Sequence, residues 1–253
     1  MQTSLEVLFT PADFDALRQR DLTETVCVVF DVLRATTSMV TALANGAAAI
    51  IPVGGIPEAV NLRRLDPAIL LAGERDGLRI QAELAGAIPF DLGNSPTEFT
   101  SERVLGRIIA MTTTNGTRAL RACAHARTVL VSCFLNLSAT AEWIENQKPT
   151  NLVLVCSGTY EQAAYEDALA AGALCDRLWP AYGNGDAADS ATIARQIFCT
   201  DGDDLVQAMG RSRNGRRLLA NPSLRGDVSF CSQRDTCPFV VELENDGRVR
   251  KHV

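Results

Sequence analysis

Histidine is scarce in this chain, at positions 125 and 252 only, and none of its eight cysteines is paired in a Cys-x-x-Cys motif. The spacing of a structural zinc site is therefore missing. The cysteines, at 27, 123, 133, 156, 175, 199, 231 and 237, are scattered, and several sit inside apolar runs, the pattern of reduced, buried small hydrophobes in a cytoplasmic protein. No run approaches the roughly 20 apolar residues needed to cross a bilayer. Met1-Gln2-Thr3-Ser4-Leu5-Glu6 lacks the basic start and apolar core of a signal peptide, so no membrane partner is expected. Positive charge is in deficit too: 24 Lys and Arg against 30 Asp and Glu give a net charge of -6. That balance disfavours nucleic acid as a partner, and any anion site has to be a local basic focus in an acidic protein.

What is present is globular. The 253 residues are 47% hydrophobic and 21% charged, enough for a sizeable core. Short apolar runs at 5–10, 26–30, 47–53, 68–72, 107–111, 128–133 and 151–156 read as strands, with helical patterns between most of them. This alternation predicts an α/β fold of three layers, α/β/α, with a mostly parallel central sheet. It is read as a single domain over 1–253, with a subdivision near residue 150 into lobes 1–150 and 151–253 left open. Residues 186–224 are helical in pattern, and the arginines at 211, 213, 216 and 217 read as a solvated face. Phe239 to Leu243 and Arg248 to Val253, joined by Asn245-Asp246-Gly247, read as a closing hairpin.

The most informative stretch runs from Val26 to Ser38, where an apolar strand ends in Asp31-Val32-Leu33-Arg34-Ala35-Thr36-Thr37-Ser38. An acid at the end of a buried strand emerges at the carboxyl edge of the sheet, where open α/β folds bind ligands. Arg34 offers a planar fork of donors suited to phosphate, sulfonate or carboxylate. Thr36, Thr37 and Ser38 are placed to cap the following helix, whose free N–H groups attract anions. The same residues also suit a plain strand-to-helix tie.

Three further turns share this character. The strand at 68–72 leads into Gly73-Glu74-Arg75-Asp76-Gly77, an acid and an arginine between glycines that permit close backbone approach. The strand at 107–111 leads into Thr112-Thr113-Thr114-Asn115-Gly116-Thr117-Arg118, a run of donors before a helix, without the lysine and glycine spacing of a Walker loop. The strand at 151–156 leads into Ser157-Gly158-Thr159-Tyr160-Glu161, with Glu166-Asp167 on the next helix. Glu161, Glu166 and Asp167 could supply oxygens to a hard cation such as magnesium, or simply favour the helix dipole. The loop Phe90-Asp91-Leu92-Gly93-Asn94-Ser95-Pro96-Thr97 is a connector whose Asn94, Ser95 or Thr97 is expected to cap a helix. In a mostly parallel sheet the carboxyl ends converge, so these turns should meet in one crevice.

Taken together, the Asp31 to Thr37, Gly73 to Arg75, Phe90 to Pro96, Thr112 to Thr117 and Cys156 to Gly172 segments resemble the 2-phosphosulfolactate phosphatase family, in the same order along nearly the whole chain. The resemblance implies magnesium-dependent hydrolysis of 2-phospho-3-sulfolactate to 3-sulfolactate and phosphate, a step linked to coenzyme M biosynthesis. Read onto this site, Asp31, Arg34, Glu74 and Arg75 are the expected catalytic residues. Mg2+ would be held by Asp31 with Glu74, Glu161 or Asp167. The anionic substrate would be bound by Thr36, Thr37, Asn94, Ser95, Thr112, Thr113, Thr114, Asn115, Gly116, Thr117, Ser157 and Gly158. Asp31 is open to two roles, metal ligand or nucleophile forming an aspartyl phosphate. Nothing carries over onto residues 180–235. Two other readings stay open, a phosphatase for another small phosphorylated acid and an anion-binding module without turnover. Self-association into a homo-oligomer is left open as well.

Overall fold

The computed structural model of the chain describes residues 3–86 and 88–252. Met1 and Gln2 of the N-terminal stretch and Val253 of the expected hairpin lie outside the described residues. Among the described residues eleven strands form one sheet: β1 (Ser4–Leu8), β2 (Thr25–Phe30), β3 (Ala49–Pro52), β4 (Leu70–Arg75), β5 (Leu78–Arg79), β6 (Ile108–Thr112), β7 (Thr128–Ser132), β8 (Asn151–Cys156), β9 (Asp186–Ala187), β10 (Val241–Leu243) and β11 (Val249–Lys251). The helices are α1 (Asp13–Arg18), α2 (Ala35–Ala44), α3 (Ile56–Leu65), α4 (Ser101–Val104), α5 (Gly116–Ala122), α6 (Leu137–Gln147), α7 (Tyr165–Tyr182), α8 (Asp189–Asp201), α9 (Leu205–Gly210), α10 (Arg213–Leu219) and α11 (Gly226–Cys231). None is long and apolar enough to cross a membrane.

β2 is buried at every position, as its unbroken apolar run requires. Its side chains alternate between two cores. Cys27 and Val29 face a cluster shared with α2 and α5, and Val26, Val28 and Phe30 face one shared with α6, α7 and α8. A third cluster packs α3 against β3, β4 and β6. Helices thus cover both faces and the three layers are present. Each large side chain fully buried in these clusters, Phe30 among them, contributes about 1.5–3 kcal/mol of transfer free energy.

Across the sheet the order is β5, β4, β6, β3, β11, β10, β7, β2, β8, β1, β9. β4, β6 and β3 are mutually parallel, as are β7, β2, β8, β1 and β9, but the antiparallel β10–β11 hairpin lies between the two blocks. Each junction to it is antiparallel and rests on one residue pair, Glu242 with Leu130 and Val249 with Ile50. The sheet is mostly parallel, as expected, but its two parallel blocks run in opposite directions. Their carboxyl ends still meet. Asn115 after β6 donates to Ser157 O and Tyr160 O after β8, so the turns at these ends touch.

Within each block register does the placing. Phe30 stands level with Cys156, so Asp31 and Ser157 emerge side by side, tied by Ser157 N–H to Phe30 O at 2.8 Å. Gly73 stands level with Thr112, which puts Glu74 beside Thr113 and Thr114. Between β4 and β5 lies a two-residue turn, Asp76-Gly77, with both residues at positive φ (54° and 79°). That conformation is the one Asp-Gly favours in tight hairpins, so the second glycine closes a turn as well as admitting backbone contact.

Candidate active site

The turn after β2 is braced by its own hydroxyls. Thr36 Oγ1 donates to Asp31 O at 2.9 Å and accepts from Asp31 N–H, Thr37 Oγ1 donates to Val32 O at 2.8 Å, and Ser38 Oγ donates to Asn94 O at 2.8 Å. This corrects the expected capping of α2 by hydroxyls: Arg34 occupies the cap position without a side-chain cap, and the first N–H of the helix goes to Asp31. For Thr36 and Thr37 the competing acceptors are carbonyls of the turn itself, and for Ser38 it is the carbonyl of Asn94. Thr36 and Thr37 are fully buried there, away from the cleft that Asp31 and Arg34 line. Ser95 and Thr100, at the cap positions of the segments after Asn94, likewise make no side-chain cap.

Asp31 Oδ1 accepts the Ala35 N–H at 3.0 Å, and Gly116 at the start of α5 packs against Oδ2. Enclosure by protein pushes this carboxyl up to about 7, with the negative charges of Glu74 and Glu166 adding to the effect and the Ala35 N–H opposing it. Glu74, also in the cleft, ties two turns together: Oε1 accepts Thr114 N–H at 2.9 Å and Oγ1 at 2.8 Å, and Oε2 accepts Gly77 N–H at 2.7 Å. Arg75 is turned inward, donating to Glu74 O at 2.6 Å and to Thr112 Oγ1 at 3.1 Å, and does not line the cleft.

Arg34 is 3% exposed and paired with Asp227 Oδ2 at 2.8 Å, while its Nη2 donates to Gly77 O at 2.7 Å. Ser95 Oγ donates to the other Asp227 oxygen at 2.6 Å. Of the hydroxyl-rich turn, Thr113, Thr114 and Asn115 face the cleft, whereas Thr117 bonds back to Thr113 and is buried with Thr112. Asn115 Nδ2 donates to Ser157 O at 3.1 Å and Tyr160 O at 2.9 Å, joining the two blocks of the sheet. Gly158 lines the cleft; Ser157 is buried behind it.

The remaining acids divide. Asp167, 2% exposed, accepts Val32 N–H at 2.8 Å and Gly158 N–H at 3.1 Å, so it fixes the turns after β2 and β8 from behind. Burial raises its pKa well above the usual carboxylate range, with Asp31 and Glu166 contributing. Glu166 is buried and raised in the same way, accepting Asn214 Nδ2 at 2.6 Å. Glu161 stands outside, 65% exposed and paired with Arg118 at 2.9 Å. Asp76, Tyr160, Asn214 and Arg217 line the cleft without having been singled out. Asn214, Arg217 and Leu218 repeat at one-turn spacing along α10, a signal hidden inside an arginine cluster that reads as solvated surface.

Residues 13–246 match the 2-phosphosulpholactate phosphatase family. A relative from Caldanaerobacter subterraneus subsp. tengcongensis is 37% identical over 96% of this chain and 97% of its own length. One from Pseudothermotoga lettingae is 37% identical over 98% and 99%, and one from Gloeobacter violaceus 38% identical over 83% and 84%. All three are named probable 2-phosphosulfolactate phosphatase. The chain belongs to this family.

For a member of that family the donor set matters. Among the described residues no three or more His, Cys, Asp or Glu are grouped as a ready cage for an ion. Magnesium does not need one, since it is held by one or two carboxylates together with water and substrate oxygens. Asp31 and Glu74, two carboxylates lining the same cleft and close enough for the charge of Glu74 to act on Asp31, meet that requirement. The cleft encloses about 600 Å³, open solvent included. Two of its buried acceptors, Asn94 Oδ1 and Asn115 Oδ1, have no hydrogen-bond partner in the protein.

Proposed function

We propose that this protein is a magnesium-dependent phosphatase that hydrolyses 2-phospho-3-sulfolactate to 3-sulfolactate and phosphate. The observation that carries this reading is that two carboxylates, Asp31 and Glu74, and a buried arginine, Arg34, line one cleft of a chain whose relatives bear that name. Acids for a cation beside a cation for an anion are what phosphoryl transfer needs.

Arg34 binds phosphoryl oxygens with the guanidinium N–H groups that Asp227 and Gly77 leave unused, and those two partners hold it in place before substrate arrives. Asp31 and Glu74 would hold the magnesium ion, which would supply charge neutralisation at the phosphoryl group. With a cation bound, Asp31 is ionised and serves as its ligand.

The test is inorganic phosphate release from racemic 2-phosphosulfolactate, with magnesium and with a chelator, beside 2-phospholactate and phosphoglycerate. Release from one enantiomer, dependent on magnesium and lost in Asp31→Asn, is the expected result. Folded protein that releases phosphate from none of the three overturns the reading. Direct delivery of labelled water oxygen to phosphate, with no phosphorylated enzyme trapped, is expected for Asp31 as ligand.

A further inference from the structure

Among the described residues two cationic side chains line the cleft, Arg34 and Arg217, and they are held in opposite ways. Arg34 is buried and committed to Asp227 and Gly77. Arg217 is exposed. Its N–H groups reach Tyr160 Oη and Asp76 O at 3.4 Å each, beyond the range of a good N–H···O bond, so little is lost when they move to another acceptor.

The helix beneath Arg217 is nevertheless fixed. One turn earlier, Asn214 Nδ2 donates to Thr159 Oγ1 at 2.7 Å and to buried Glu166 Oε1 at 2.6 Å, and Leu218 beside it is in the core. The stem of Arg217 is therefore anchored on the turn after β8 while its tip stands free at the cleft. The walls around that tip are acidic, with Asp31, Glu74 and Asp76 all lining the same space. A ligand group of negative charge remote from the phosphoryl end is unfavourable there without its own cation.

We propose that Arg217 is the specificity-determining residue of this site, binding the sulfonate of the substrate while Arg34 serves the phosphoryl group. The inference rests on the function proposed above and assigns its second anion subsite. The flat guanidinium matches two oxygens of a sulfonate at once, a geometry a lysine lacks. Tyr160, whose hydroxyl donates to Asp76 Oδ1 at 3.1 Å, keeps that acid occupied beside the incoming anion.

The test compares kcat/KM for 2-phosphosulfolactate and for 2-phospholactate, which has a methyl group in place of the sulfonate arm's charge, in wild type, Arg217→Gln and Arg217→Lys. In Arg217→Gln the preference for the sulfonated substrate should fall about 10- to 100-fold, carried by KM, as loss of one charged hydrogen-bonding partner implies. Arg217→Lys should recover part of it. The thermal midpoint should not move, since Arg217 is exposed and only loosely bonded. A wild-type preference that survives in Arg217→Gln overturns the inference alone. A wild type without any preference for the sulfonate overturns the inference together with the proposed function.

Discussion

A single methyl group is enough to disturb the site at Gly116. A Cβ built there would lie 2.5 Å from Asp31 Oδ2 and 2.7 Å from Ala35 Cβ, closer than real side chains approach. The helix start can accept alanine locally, so the conflict falls on the carboxylate. Gly116→Ala is expected to keep the fold at a cost of about 1–3 kcal/mol, while phosphate release drops about 100-fold because Asp31 is shifted by something near an ångström. Steady-state kinetics beside a urea titration checks both halves. Turnover equal to wild type would show that Asp31 tolerates displacement. At this scale the sequence was partly legible: an acid after a buried strand marks Asp31, but nothing local tells that Arg75 turns inward while Arg34 faces the cleft.

Two short helices late in the chain complete what the strand ends begin. α11 delivers Asp227 to Arg34 from behind, and α10 delivers Asn214 to Glu166 and forms one wall of the cleft. Arg34 and Asp227 are 3% and 2% exposed, a pair with little water to screen it. Asp227→Ala leaves a buried guanidinium unpaired and should destabilise by about 3–5 kcal/mol in chemical denaturation. Replacing both partners by apolar residues, Arg34→Met with Asp227→Leu, should recover most of that stability and none of the activity. A double variant as unstable as the single one would refute this account of the pair. The Arg34–Asp227 contact joins residues 193 positions apart and the Asn214–Glu166 contact residues 48 apart, and for that reason the arginine cluster at 211–217 reads as surface until the tertiary structure is seen.

For the molecule as a whole the acids Asp31, Glu166 and Asp167 act together. Their folded pKa values are all raised, Asp31 to about 7, so the folded chain holds protons that the unfolded chain has released. Stability is then highest below the ordinary carboxylate pKa. It falls as pH rises toward 7, at about 1.4 kcal/mol per pH unit for each group that is protonated only when folded. In chelator, the thermal midpoint should drop between pH 5 and pH 7. Magnesium should restore most of it at pH 7 and little at pH 5, because cation and proton compete for Asp31. Melts at both pH values with and without magnesium measure this directly, and a flat profile in chelator would mean that the acids are not strained by burial.

The strands, the layered α/β class and the polar turns that end β2, β4, β6 and β8 were determined by the sequence itself, because runs of buried apolar residues and their punctuation are local properties. The direction of the two sheet blocks was not. It depends on the β10–β11 hairpin inserting between β7 and β3, a choice made by pairing among strands far apart in the chain. Which side chains face the cleft was also left to the tertiary structure. Hydroxyls such as those of Thr36 and Thr37 go to the nearest free carbonyl, and an arginine goes to whichever carboxylate is buried beside it. Those partners exist only once the chain has closed around them.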